Sequence, residues 1–272
     1  MSTSRIDVEY AAFSQGAKPA IRRTIEPAQA DALAARWRAQ GLSVARARNV
    51  SPMGGRDVAV LYLAPTMALA EALRDAEEPV LQGSPTYSPG GTAAHVAQHQ
   101  AVGRALGFPP CCVDAFCVRL TRGVDTLGPH RNLSEDYVTA REAWVPRADA
   151  RLNPLLMRAR MHVVSFYPCR YDCRAARAHA DAVLAAVAKL HGAGAARALV
   201  DALARTVLIA PTGARCVATL VEGVVSRAEA LTDDPRDRAL AEALAGAAVR
   251  GDGSVGEGSV PPVWCVDFVS AP

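Results

Sequence analysis

No apolar run in this chain of 272 residues approaches the roughly 20 that a membrane-spanning helix needs. Its opening residues, Met1-Ser-Thr-Ser-Arg-Ile-Asp-Val-Glu9, lack the apolar stretch of a secretory signal. The two absences together predict a cytoplasmic protein with no membrane role. Charge of one sign is also scarce: 30 Lys and Arg stand against 27 Asp and Glu, a net of +3. That balance gives no specific nucleic-acid signal. No Gly-Lys-Ser/Thr follows Gly90-Gly91, so residues 82 to 91 are not a phosphate-binding loop. Residues 251 to 258 have too few spaced carboxylates for a calcium loop, and there is no internal repeat. The cysteine count, seven, is odd. In a reducing compartment an odd count favours thiols, metal ligation or catalysis over a disulfide framework.

Half of the residues are hydrophobic and a fifth charged, as in a soluble globular protein of one or two domains. The pattern predicts an α+β (or α/β) fold: a small α+β unit over residues 1 to 82, packed on a larger mixed, cysteine-containing body over residues 92 to 272. In the first unit, strands are expected at 21–25, 43–50 and 58–63, and helices at 27–40 and 67–76, with a turn at 51–55. The Gly/Pro/Ser-rich stretch 82–91 is the expected boundary. Beyond it, helices are expected at 92–106, from Pro110 to about 120, at 135–143, at 173–190 and at 237–249. The matching strand expectations are 162–167, 206–210, 215–220 and 263–269.

Two cysteine pairs stand at the starts of two of these helices. Cys111 and Cys112 follow Pro109-Pro110; Cys169 follows Pro168, and Cys173 lies four residues on. Helix starts favour the thiolate, because backbone N–H groups and the helix dipole point at them. Adjacent cysteines on a helix diverge by about a hundred degrees, so one of Cys111 and Cys112 should face a site and the other the core. The Cys-x3-Cys spacing differs from the Cys-x2-Cys of structural zinc knuckles. One reading is a shared zinc or iron–sulfur site; the other is four buried, unreactive thiols. Cys117 shares a helix face with Val113, Phe116 and Leu120 and reads as core, as do Cys216 and Cys265 in their apolar strands.

Other residues could complete a metal site. His95 and His99 stand at i and i+4, and His162 precedes Cys169. Asn153 is a further candidate neighbour of such a site; Asp114 and Asp172 flank the cysteines, and Asp172 reads at least as well as a helix cap. A basic stretch holds Arg22, Arg23, Arg46 and Arg48. It reads either as a solvated face or as a dock for an acidic peptide, which could add as a strand along residues 43 to 50.

The motifs Leu106-Gly-Phe-Pro-Pro-Cys-Cys-Val-Asp-Ala-Phe116 and Phe166-Tyr-Pro-Cys-Arg-Tyr-Asp-Cys173, with Asn153-Pro-Leu-Leu156 before the second, resemble a prokaryotic domain of unknown function, DUF483. The resemblance covers roughly residues 95 to 190. It implies no established activity. It does imply a histidine where this chain has Phe166, hence a lost metal ligand and a degenerate, binding-only domain. It also implies a context of clusters that make modified peptides. Two functions therefore stand against each other. The first is an accessory peptide- or protein-binding protein, possible as a homodimer, in maturation of a ribosomally made peptide natural product. The second is a metal-dependent (zinc or iron–sulfur) or thiol redox enzyme using Cys111, Cys112, Cys169 and Cys173. A third reading makes the cysteines purely structural.

Overall fold

The computed structural model describes residues 6–49, 51–53, 56–82, 93–125, 135–159, 161–255 and 263–270. The fold is α+β, in two compact units, Met1–Thr126 and Leu127–Pro272. The expected boundary loop lies, from residue 83 to 92, outside the described residues.

The first unit runs α1 (Val8–Ser14), β1 (Ile21–Ile25), α2 (Ala30–Ala39), β2 (Ser43–Arg46), β3 (Ser51–Met53), β4 (Arg56–Ala64), α3 (Met67–Gln82), α4 (Ala93–Ala105) and α5 (Pro110–Asp125). Its antiparallel sheet has the order β1-β4-β2, with β3 also paired to β4. Central β4 reads as an unbroken apolar run because both of its faces are covered. Val60, Tyr62 and Ala64 join Ala70 and Leu73 of α3 and Val102 of α4 in one core. Leu61 and Leu63 join Phe13 of α1 and Ala34 of α2 in the other. The two-residue period of the strand sorts alternate side chains to the two cores. Helices α4 and α5 belong to this unit: Val102 of α4 and Leu106 just after it close its first core, and α5 packs on α4 through Phe116 against His99.

The second unit runs α6 (Glu135–Glu142), β5 (Ala148–Asp149), α7 (Arg174–His191), α8 (Ala193–Leu203), β6 (Thr206–Ile209), β7 (Arg215–Val221), β8 (Val224–Ala230), α9 (Pro235–Leu244), β9 (Ser254–Val255) and β10 (Val263–Val269). Its sheet has the order β5-β10-β6-β7-β8, with β9 also on β10. All of these pairings are antiparallel except β5 with β10. Ala176, Ala180, Val183, Ala186 and Val187 form the buried stripe of α7, while Leu184 stands at its margin.

Several expectations need correction. Residues 162–167 form no strand. Val163 and Val164 are both buried, in succession rather than alternately, and the places beside β10 are taken by β5 and β6. Within the expected turn at 51–55, Ser51–Met53 is a strand paired with β4, and residues 54 and 55 lie outside the described residues. Helix α9 stops at Leu244, where Ala248 and Val249 instead make isolated bridges to Val224 and Val255. Helix α8 and strand β8 were not foreseen. The β7–β8 turn is Glu222-Gly223, both at positive φ (50° and 76°), a two-residue hairpin turn without the Asn or Asp that usually signals one.

Gly107 ends α4 at φ +77°, and a Cβ there would sit 2.5 Å from Pro19 Cδ. Gly107→Ala is expected to destabilise the protein by at least ~1 kcal/mol, from left-handed backbone plus overlap. Gly41→Ala, at φ +81° but with nothing within 4 Å, carries only the backbone part. Urea melts of the two variants should rank Gly107→Ala as the worse; equal midpoints would refute the overlap.

Cys216 and Cys265 lie in the core over β6, β7 and β10. Burial, helped by Asp237 beside Cys216 and by Asp267 and Cys216 beside Cys265, pushes each thiol up to about 12. An unfolded thiol loses its proton near ~8.5, whereas these keep theirs when folded. The unfolded chain thus binds fewer protons above that pH, and stability falls with rising pH, by up to ~1.4 kcal/mol per unit for each thiol. Unfolding curves between pH 8 and 10 should show this decline, and Cys216→Ala should make it shallower. An unchanged slope would contradict the assignment.

Candidate metal centre

Pro110 opens α5 with a φ already suited to the first helical turn. The Pro109 carbonyl accepts from the N–H of Cys112 (2.9 Å) and of Val113 (3.1 Å), which fixes that turn. Cys111 is exposed and Cys112 is buried, so the two diverge as adjacent helical residues must. Yet their Sγ atoms are only 4.0 Å apart. Side chains of a helix lean toward its N-terminus, and in the first turn both thiols can lean past the helix end. The expectation that only one of them would face a site is corrected by that distance.

Cys169 and Cys173 bracket a loop tied down from within the second unit. Tyr171, midway between them, is fully buried with its ring edge-on to Phe268, 4.9 Å between centroids. Its N–H donates to the Ala143 carbonyl and its own carbonyl accepts from the Asp149 N–H, both at 3.0 Å. The Cys173 N–H donates to the Arg170 carbonyl at 3.1 Å. Cys173, and not Asp172, is the N-cap of α7. Asp172 instead accepts from Arg170 Nε (2.9 Å) and Nη2 (3.0 Å), and that guanidinium holds its carboxyl below the usual range.

A second anchor precedes Cys169. The Tyr167 hydroxyl donates to Asp136 Oδ1 at 2.8 Å, and Arg215 Nη2 donates to Asp136 Oδ2 at 2.5 Å. Arg215, 1% exposed, also donates from Nη1 to the Leu155 carbonyl at 2.7 Å. Sequence reasoning missed this chain. Its members are 31 and 79 residues apart, and no spacing rule joins a helix-start aspartate to a strand arginine.

Cys111, Cys112, Cys169 and Cys173 form one group, with all four Sγ atoms within 4.8 Å of one another. Four sulfurs at ~2.3 Å around a tetrahedral zinc stand about 3.8 Å apart. Contraction by about 1 Å or less in any pair would therefore seat one ion. At 4.0 Å, Cys111 and Cys112 are well beyond the ~2.05 Å of a disulfide bond. The other three cysteines contrast with this group. Cys117 is buried with its Sγ 3.8 Å from the Val96 carbonyl and its thiol pushed up by burial, and Cys216 and Cys265 are core.

Neither His99 nor His162 belongs to the group among the described residues. The His99 ring lies edge-on to Phe116 at 5.2 Å, a packing contact between α4 and α5. His95 is in α4, with its side chain outside the described residues. Asn153 is buried, donating to the Leu203 carbonyl (2.9 Å) and accepting from the Leu155 N–H (3.1 Å). Asp114 accepts from Gln100 Nε2 at 3.3 Å. Phe166, where the resemblance implies a histidine, is buried with its ring edge-on to His179 at 5.3 Å.

The arginines expected to dock an acidic peptide already have carboxylate partners. Arg22 pairs with Glu77, Arg23 with Asp7 and Arg46 with Asp31, each at 2.5 Å. Arg48 pairs with Glu78 at 2.5 Å and with Asp75 at 2.7 Å. Helix α3 supplies three of those five carboxylates, to Arg22 and Arg48, while Asp7 and Asp31 meet the other two arginines.

Compared with protein-family models, curated proteins and solved structures, the chain matches none.

Removing the Tyr167 hydroxyl should cost about 0.5–1.5 kcal/mol, the net worth of one hydrogen bond. Asp136→Ala strips a buried guanidinium of its carboxylate and should cost ~3 kcal/mol or more. Urea unfolding of Tyr167→Phe and Asp136→Ala checks both. An Asp136→Ala loss below that of Tyr167→Phe would show that the pair does not anchor the loop.

Proposed function

We propose that the protein binds one metal ion, zinc, through Cys111, Cys112, Cys169 and Cys173, in an accessory rather than a catalytic role. The observation that carries this reading is the separation of the sulfurs, all within 4.8 Å. Thiolates select zinc or iron–sulfur centres among the common biological metals. An iron–sulfur cluster hangs its cysteines from more than one iron, spreading them wider than the ligands of a single ion. The tight group therefore supports a mononuclear centre. Four protein ligands also close the tetrahedron, leaving no position for the water that a hydrolytic zinc enzyme activates. That closure supports the accessory reading over the enzyme reading. The two Pro-Cys motifs that resemble DUF483 supply all four sulfurs, which supports taking the group as the centre of such a domain. With Arg22, Arg23, Arg46 and Arg48 already paired, any peptide partner would be held by other means. Strand β2, at the edge of its sheet, offers backbone pairing for one.

Elemental analysis of the purified protein should find one zinc per chain, and Cys112→Ser should lose it. Iron with acid-labile sulfide, or no metal at all, would reject the proposal. Cobalt substituted for zinc should give thiolate charge-transfer bands that added azide or imidazole leaves unchanged. A spectrum that shifts with either ligand would mean an open coordination position and would favour an enzyme.

A further inference from the structure

Strand β8 (Val224–Ala230) ends the sheet order β5-β10-β6-β7-β8, so one side of its backbone has no strand beside it. Its first residues are covered: the Val225 N–H donates to the Ala247 carbonyl at 2.9 Å, and the Val225 carbonyl accepts from the Gly246 N–H at 2.8 Å. The bulge in the β7–β8 pairing also lies before Arg227, so the ladder from Arg227 to Ala230 is regular. There the Leu231 N–H donates to the Arg215 carbonyl, while Glu229 stands opposite Val217 and Arg227 opposite Thr219. Every second residue of an antiparallel strand bonds to the same neighbour. Arg227 and Glu229 therefore bond inward to β7, and the N–H and C=O groups of Ala228 and Ala230 point out of the sheet. Among the described residues, no hydrogen bond from outside the sheet reaches those four groups.

Proteins that keep such an edge single blunt it with lysines, proline or a charge turned inward. The regular part of β8 carries two opposite charges instead. Arg227 and Glu229 are both exposed, lie on one face, and pair with each other at 2.6 Å. Their places are symmetric about Ala228. We infer that β8 is a dimerisation edge: a second copy of this chain pairs its own β8 antiparallel, with the two-fold axis at Ala228, and two six-stranded sheets become one. The outward groups and the charges choose the same register. With Ala228 opposite Ala228 of the second copy, each N–H donates to the other carbonyl, and each Ala230 meets Ser226 across the axis. Arg227 then faces Glu229 of the second copy, and Glu229 faces its Arg227, as a self-complementary two-fold interface requires. In the next register that matches the outward groups, Ala228 would face Ala230 and Glu229 would face Glu229. Like charges directly opposite destabilise a sheet, so that register is rejected. Val221 and Val224, exposed at the hairpin end of the strand, add apolar surface beside the edge. The inference does not depend on the metal reading.

Sedimentation velocity of the full chain tests this over ~1–100 µM protein, with reductant present so that cysteines cannot link copies. A reversible monomer–dimer equilibrium is expected. Arg227→Glu sets glutamate against Glu229 on both sides of the axis and should weaken the dimer about tenfold or more, as should Glu229→Arg. The double variant Arg227→Glu/Glu229→Arg restores opposite charges in reversed order and should return the dissociation constant to within about threefold of the unaltered chain. A chain that stays monomeric throughout, a dimer that either single reversal leaves intact, or one that the double variant fails to restore overturns the inference. Should a variant fail to fold, amide-resolved hydrogen exchange of the unaltered chain decides. The Ala228 and Ala230 N–H groups should exchange more slowly as protein concentration rises; rates independent of concentration overturn the inference.

Discussion

Four sulfurs held within 4.8 Å cannot all be thiolates in the absence of a cation. Two like charges 4 Å apart repel by about 4 kcal/mol at an effective dielectric of ~20, and four such charges make six pairs. The group must therefore keep most of its protons or surround a positive ion. A divalent ion replaces the protons and converts mutual repulsion into shared attraction. The function proposed for this protein follows from that constraint.

The two cysteine pairs are presented by different local devices. At α5 the device is covalent: a proline at the first helical position and an adjacent cysteine pair in one turn. At the loop before α7 it is tertiary. Tyr171 sinks into the core between Cys169 and Cys173, and the Tyr167–Asp136–Arg215 chain holds the residue two before Cys169. Each pair is thereby ordered within its own unit, an economy that would favour affinity for any ion it helps to hold. The same economy explains why Arg215, an arginine wholly inside the protein, is tolerated: its charge meets Asp136 and its remaining donors meet carbonyls.

Much of this was readable in the sequence because the signals are local. The continuous apolar run that became β4, the alanine-rich stripe of α7, the glycine at 107 and the proline at 110 each act within one turn or strand. So does the placing of Cys111, Cys112 and Cys173 at helix starts. What escaped depends on partners far along the chain. Residues 162–167 have the composition of a strand but no vacant sheet edge to join. The basic stretch around Arg22 and Arg48 looks unbalanced only until α3 brings Glu77, Glu78 and Asp75 against it. Spacing predicted that Cys111 and Cys112 would diverge; their sulfurs nonetheless stand 4.0 Å apart, a closeness that a helical wheel does not contain.

X-ray absorption at the zinc edge of the purified protein bears most directly on the central claim. The account predicts a single shell of four sulfurs at ~2.3 Å and no metal–metal vector. A shell containing nitrogen or oxygen, fewer than four sulfurs, or a second metal at short range would contradict it.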